Sequence, residues 1–244
     1  MYCASDTVSF QAAGLAHDAA RCDECPARQS AICAVLGVTE MTEFAASGRI
    51  EKLRRSETFF WEGDEAASIA TVRAGLFKLT ASLADGREQI VGLALPGDVI
   101  GRPYGKRVEY CATALGDAEL CVMRRESFER FLDTHPAMMR ALLGRVLGDL
   151  DRTQARILML GRKTARERVC SLIAELASAE GSLADGCEFN LPLKRQAMAD
   201  LLGLTIETVS RQITALADQG VIALPSLRCL RIVDRARLLA AAGG

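Results

Sequence analysis

Three of the chain's nine cysteines fall within twelve residues: Cys22, Cys25 and Cys33, in the stretch RCDECPARQSAIC. A C-x2-C pair lets two thiolates converge on one metal centre, and a third cysteine after a gap of seven residues closes a turn around it. Thiolates select zinc, copper(I) or iron–sulfur clusters. A four-ligand centre leaves this segment one donor short, so a distant cysteine must complete it. The other six (Cys3, Cys111, Cys121, Cys170, Cys187, Cys229) are scattered. Cys170 sits in an apolar helical pattern and Cys229 in a short strand pattern, where free cysteine behaves as a small buried hydrophobe. With His17 and His135 the only histidines, a Cys/His zinc finger is poorly supplied. The bland alternative is three unligated surface cysteines.

A second chemistry-bearing stretch runs from residue 191 to 222, LPLKRQAMADLLGLTIETVSRQITALADQGVI. A short helix over Arg195 to Leu202 meets Gly203, which supplies the tight turn of a helix-turn-helix. Thr205 then caps the second helix. Ile206, Val209, Ile213 and Leu216 are expected to pack inward, which turns Glu207, Ser210, Arg211 and Thr214 outward near the amino end. A recognition helix enters the major groove with these first turns. Arg211 could bond guanine O6 and N7 in bidentate fashion, and Glu207 could accept from cytosine N4. Residues 191 to 237 carry seven Lys/Arg against four acids, a local excess suited to double-stranded DNA. Val221 to Leu224 and Arg228 to Val233 read as a two-stranded wing about Pro225-Ser226.

The remaining elements must position these two stretches. Residues 40 to 52 read as a short helix. From Thr58 the character turns to β: Phe77, Leu79, Ala81 and Leu83 alternate with polar residues, Asp85-Gly86 marks a hairpin, and Ile90 to Leu95 returns. Two more strands are expected over 108 to 123, so the fold is α+β with a compact antiparallel roll. Ser127 to Asp133 is a short helix, and Pro136 opens a long one that runs to about Leu160. Leu143, Leu150 and Ile157 recur every seven residues, with Val146 and Leu147 filling the next positions. That stripe reads as a parallel two-stranded seam between subunits of a homodimer; an ordinary core helix is the alternative.

Length and composition agree. The 244 residues and 26.3 kDa allow one large domain or two modest ones. Thirty Lys/Arg against thirty-one Asp/Glu give a net charge of −1, which excludes a wholly basic coat and leaves room for a local basic face. Charged residues interrupt every stretch of transmembrane length, about 20 residues, so no membrane partner is expected. Asp6 and Asp18 precede the first basic residue, Arg21, which argues against a signal peptide. A cytoplasmic protein is expected, where so many cysteines point to metal or redox chemistry before disulfides. No nucleotide-binding glycine loop, Ser/His/Asp arrangement or carboxylate pair marks an enzyme.

Roll, long dimer helix and winged helix-turn-helix, with the stretches FFWEGDEA, VRAGLFKL, LPGDVIG and GLTIETVSRQITAL, resemble the CRP/FNR family of transcription regulators over nearly the whole chain. The cysteine segment and the Glu207-x-x-Ser210-Arg211 face look like its FNR branch, the oxygen-responsive iron–sulfur regulators. The C-x2-C-x7-C spacing resembles the FnrL-type members and departs from the x5 gap of others. The resemblance implies a cyclic-nucleotide-binding-like roll over 40–134, a cluster-binding segment over 1–39, a dimerisation helix over 135–162 and a DNA-binding domain over 163–244. It places the fourth ligand in AELCVMRRESF, hence Cys121, with Cys111 on a neighbouring strand as competitor and Cys3 as a weaker one. One [4Fe-4S] cluster per subunit is then held by Cys22, Cys25, Cys33 and Cys121. The resemblance further implies dimerisation through Leu143, Leu147, Leu150 and Ile157 under low oxygen, an activator's binding to a TTGAT-type promoter palindrome, and RNA polymerase as partner. A zinc or thiol-redox amino-terminal site with a different effector is the alternative. Cyclic-nucleotide binders of the family keep a Gly-Glu after the PGD turn and an Arg-Ser or Arg-Thr for the phosphate. Here Gly101-Arg102-Pro103 and Glu109-Tyr110-Cys111-Ala112 stand there, so no cyclic nucleotide is expected.

Overall fold

A computed structural model describes residues 20–243 except Glu180 and Leu227. The chain begins with a single turn, α1 (Ala20–Asp23), a loop ending in the 3-10 turn Ile32–Val35, and α2 (Val38–Ala46). Gly37 and Glu40 form the amino-terminal cap of α2, with the Gly37 amide donating to the Glu40 carboxylate at 2.8 Å. The helix expected over residues 40 to 52 stops at Ala46. Gly48–Leu53 is instead strand β1, because Ile50 lies opposite Cys121 and Leu53 opposite Ala118 on a partner strand. A distant edge decides that segment over its local pattern.

The roll is built from β1, β2 (Thr58–Phe60), β3 (Ser68–Ala74), β4 (Phe77–Ser82), β5 (Glu88–Ala94), β6 (Val99–Gly101), β7 (Cys111–Ala114) and β8 (Ala118–Arg124). They form two antiparallel four-stranded sheets, ordered β1-β8-β3-β6 and β2-β7-β4-β5. Phe60, Val72, Phe77, Ile100, Leu120 and Val122 fill the space between them. The alternation expected from Phe77 to Leu83 does not survive. A bulge between Leu79 and Thr80 shifts the register, so Thr80 turns inside while Leu83 is 57% exposed. One extra residue exchanges the two faces of the strand beyond it.

Helix α3 (Arg125–Thr134) follows β8, and α4 (Pro136–Arg162) runs for 27 residues, about 40 Å at 1.5 Å per residue. Met138, Leu142 and Met159 are buried against the roll and the helices around it, whereas Leu143, Val146, Leu147, Leu150, Ile157 and Leu158 are each more than half exposed. An apolar stripe facing outward along so long a helix is not a core helix's pattern.

The last third comprises α5 (Ala165–Ala179), β9 (Glu188–Asn190), α6 (Arg195–Leu202), α7 (Ile206–Asp218), β10 (Ile222–Ala223), β11 (Cys229–Ile232) and α8 (Arg235–Ala241). The wing is three-stranded, ordered β10-β11-β9; β9 supplies an edge too short to announce itself. Val169, Ile173, Met198, Leu202, Val209, Ile213 and Leu230 share one core, which also takes in Leu76 and Ile90 of the roll. Gln89 donates from β5 to the Asp200 carbonyl of α6 at 2.6 Å. Arg168 donates to the carbonyls of Leu160 and Leu202, joining α5 to the end of α4 and to α6. Among the described residues no helix is long and apolar enough to cross a membrane.

Candidate metal centre and nucleic-acid interface

The cysteine loop is wound by its own backbone. Amides of Cys25, Arg28 and Ser30 donate to the carbonyls of Cys22, Cys25 and Ala27, and Leu36 donates back to Cys33. These successive turns bring Cys22, Cys25 and Cys33 together, and Arg28 closes the loop by donating to the Cys33 carbonyl at 2.6 Å. Ala27, Ala31 and Ile32 are buried beneath it.

Cys121 of β8 meets the loop from below. Cys22, Cys25, Cys33 and Cys121 line one small cavity together with Phe44, Thr71, Arg28 and Arg73. Burial pushes the Cys121 thiol up to about 12, Cys22, Cys33 and Cys25 push the same way, and Arg73 pulls it down. Burial likewise raises Cys22 and Cys33. Arg73 was not legible as a site residue. Its side chain is buried on β3, pairs with Glu119 of β8 at 3.2 Å and hydrogen-bonds Cys25. Among the described residues, no three His, Cys, Asp or Glu stand in position to hold a metal ion; the four cysteines line a small cavity.

This donor set suits a thiolate-ligated centre. Thiols that oppose one another's ionisation become thiolates when a metal cation neutralises them, and Arg28 and Arg73 add two positive charges. Cys111 does not join them. It lies on β7 of the other sheet, opposite Thr80, and its sulfur accepts from the Glu62 amide at 3.3 Å. Neighbouring in sequence to β8, β7 is separated from it by the roll's two-sheet architecture. Cys3 lies outside the described residues.

The loop is also fastened to α4. Arg145 donates to the Ser30 carbonyl at 2.5 Å and pairs with buried Asp98 at 3.3 Å. Ser30 Oγ donates to the Pro96 carbonyl at 3.1 Å, and Arg152 reaches Asp98 and Asp149. Gly97 permits this meeting: at φ +97°, a Cβ there would lie 2.5 Å from Ser30 Oγ and 2.7 Å from Arg145.

At the other end, Gly203 takes the left-handed conformation at φ 60° after α6, and Thr205 Oγ1 accepts from the Thr208 amide at 3.2 Å. Val209, Ile213 and Leu216 are buried, while Thr205, Glu207, Ser210, Arg211 and Thr214 are exposed on the opposite face. Ile206, expected inside, is 38% exposed, since the first residue of α7 projects at the rim of the turn. Its own amide and the Thr205 side chain hold the Glu207 carboxyl below the usual range, so it remains an acceptor.

Residues 167–241 match the family described as Crp-like helix-turn-helix domain, and residues 50–135 match the cyclic nucleotide-binding domain. The chain is 42% identical over 228 residues to the transcriptional activator protein FnrL of Cereibacter sphaeroides, covering 91% of this chain and 92% of that one. It is 36% identical to the nitrogen fixation regulation protein FixK of Bradyrhizobium diazoefficiens, covering 83% and 86%. The solved structure of FixK2 from Bradyrhizobium japonicum superposes with a TM-score of 0.73 at 32% identity, covering 80% of this chain and 96% of that one.

Proposed function

The chain belongs to the FNR branch of the CRP/FNR family of DNA-binding transcription regulators, and on that premise we propose that it is an oxygen-responsive activator whose cysteine loop controls dimerisation. The observation that carries this is the single cavity lined by Cys22, Cys25, Cys33 and Cys121. These four would hold one [4Fe-4S] cluster per subunit, the ligand set such clusters take. Bound, it would supply an oxygen-labile centre whose positive core offsets part of the charge of four thiolates, with Arg28 and Arg73 beside them in the same lining.

The chain's own residues then do the coupling. Drawing the loop onto β8 fixes Ser30, and Ser30 fixes Arg145. Arg145 and Arg152, both on Asp98, set α4 against the PGD turn. With α4 so held, Leu143, Val146, Leu147, Leu150, Ile157 and Leu158 meet the same face of a second copy. Two α7 helices then face adjacent major grooves about 34 Å apart, on a TTGAT-type palindrome in the cytoplasm, where RNA polymerase is the partner. The effector is not a cyclic nucleotide on this reading. The half-buried Tyr110 hydroxyl accepts from the Gly101 amide at 2.9 Å, and Arg102 faces Glu109 at 3.5 Å.

Purification without air, with visible absorbance, iron, sulfide and zinc measured before and after admitting oxygen, tests the proposal. A brown protein whose colour and DNA binding fall together supports it. A colourless protein holding zinc, or no metal, and indifferent to air would remove the oxygen-sensing reading and leave a DNA-binding regulator with a different effector.

A further inference from the structure

Between the roll and the DNA-reading end lies a cleft of about 870 Å³, within the size range of small-molecule sites. Leu76, Leu95 and Leu115 of the roll face Leu191 and Leu193 across it. Four cations stand in the same lining: Arg55 from the turn after β1, Lys194 and Arg195 at the start of α6, and Arg228 before β11. Asp117 is the one acid there among the described residues.

None of these cations has a carboxylate within ion-pair distance among the described residues. Arg195 is the telling one. Burial alone lowers its guanidinium's affinity for the proton, and its side chain's hydrogen bond goes to Met198 Sδ at 3.5 Å. A half-buried cation without a counter-charge gives up part of its hydration, and an anion in the cleft would offset that loss.

We propose that this cleft binds a small organic anion, a carboxylate or phosphate head on an apolar body, with Arg195 and Arg55 meeting the head from opposite sides and the leucines covering the body. Such a ligand touches both the roll and the first helix of the helix-turn-helix, so its occupancy sets how the DNA-reading end sits on the sensor. DNA phosphate is the other source of an anion for Lys194 and Arg195, because the first helix of the motif crosses the DNA backbone. Arg55, on the roll, separates the two.

The full-length protein is titrated calorimetrically with decanoate, and with 1-decanol and inorganic phosphate as its separate halves. Decanoate is expected to bind saturably at one site per chain, at least about tenfold tighter than either half. Arg55→Gln and Arg195→Gln should each weaken it about tenfold or more, and Arg87→Gln, in the exposed β4–β5 turn, should leave it unchanged. Leu115→Phe fills the floor without removing a charge and should also weaken it, which keeps the test decisive if an arginine variant fails to fold. Absence of saturable binding overturns the proposal, as does decanol binding as tightly as decanoate. So does an Arg195→Gln protein that loses DNA affinity yet binds decanoate as before.

Discussion

Ser30 and Arg145 are 115 positions apart in the chain, yet Arg145 Nη2 donates to the Ser30 carbonyl at 2.5 Å. One residue belongs to the cysteine loop and the other to the long helix that carries the exposed apolar stripe, so this contact ties the loop to that helix.

Arg145→Gln should therefore separate cluster binding from dimerisation. A charge-assisted hydrogen bond is worth about 1.5–3 kcal/mol, and Asp98, 6% exposed, would lose one of its two arginines. The expected protein keeps its iron and colour without air but has a weaker dimer, by roughly tenfold to a hundredfold, in anaerobic sedimentation. Gly97→Ala should act in the same direction, because its Cβ would meet both Ser30 and Arg145. Wild-type dimerisation in both variants would remove this contact from the coupling.

Cysteine substitutions should divide by sheet, not by distance along the chain. Cys22→Ser and Cys121→Ser each remove a thiol from the shared cavity, and anaerobic iron content should fall to near nothing. Cys111→Ser alters a sulfur bonded to the Glu62 amide on the other sheet and should keep the full iron complement. Iron lost from Cys111→Ser and retained by Cys121→Ser would reverse the assignment.

What the sequence disclosed about the site was what is local. Cys22, Cys25 and Cys33 are joined by consecutive turns, and Gly203 with Thr205 forms the helix-turn-helix corner within a few residues, so spacing alone reveals both. Arg73 with Cys25, and Arg145 with Ser30 and Asp98, are pairings between distant segments, and residue type gives no hint of them. The same division runs through the fold. The heptad of α4 shows in its pattern, whereas β1 depends on β8 for its existence and Thr80 is turned inside by a bulge. The family resemblance put Cys121 ahead of Cys111; that β7 and β8 lie in different sheets, with Cys121 alone of the two lining the cavity beside the loop, does not show in the local pattern.

The two faces of α4 should respond oppositely to charge. Burying a leucine is worth about 1.5–3 kcal/mol, and each stripe residue counts twice in a symmetric pair. Leu150→Glu, at a position 51% exposed in the single chain, should leave the monomer's thermal stability nearly unchanged and weaken the dimer on the order of a hundredfold or more. Ile157→Glu should do the same. Leu142→Glu, only 9% exposed, should instead destabilise the monomer. A monomer unfolded by Leu150→Glu would show that the stripe is core after all.

Arg211 tests the DNA reading most directly. Val209, Ile213 and Leu216 pin α7 from behind, so the exposed arginine on the opposite face is positioned without depending on its own contacts; its side-chain bond to Thr208 is long at 3.5 Å. Arg211→Ala should cost about 1–3 kcal/mol at one guanine and flatten discrimination there. The other positions of the half-site should keep their preferences. The slope of log affinity against log salt reports phosphate contacts, and it should hold for a residue that reads a base edge. Affinity measured on single-base variants of the half-site at two salt concentrations separates the cases. An equal loss on every sequence with a shallower salt slope would place Arg211 on the phosphate backbone, and Glu207 and Ser210 would then carry the base reading without it.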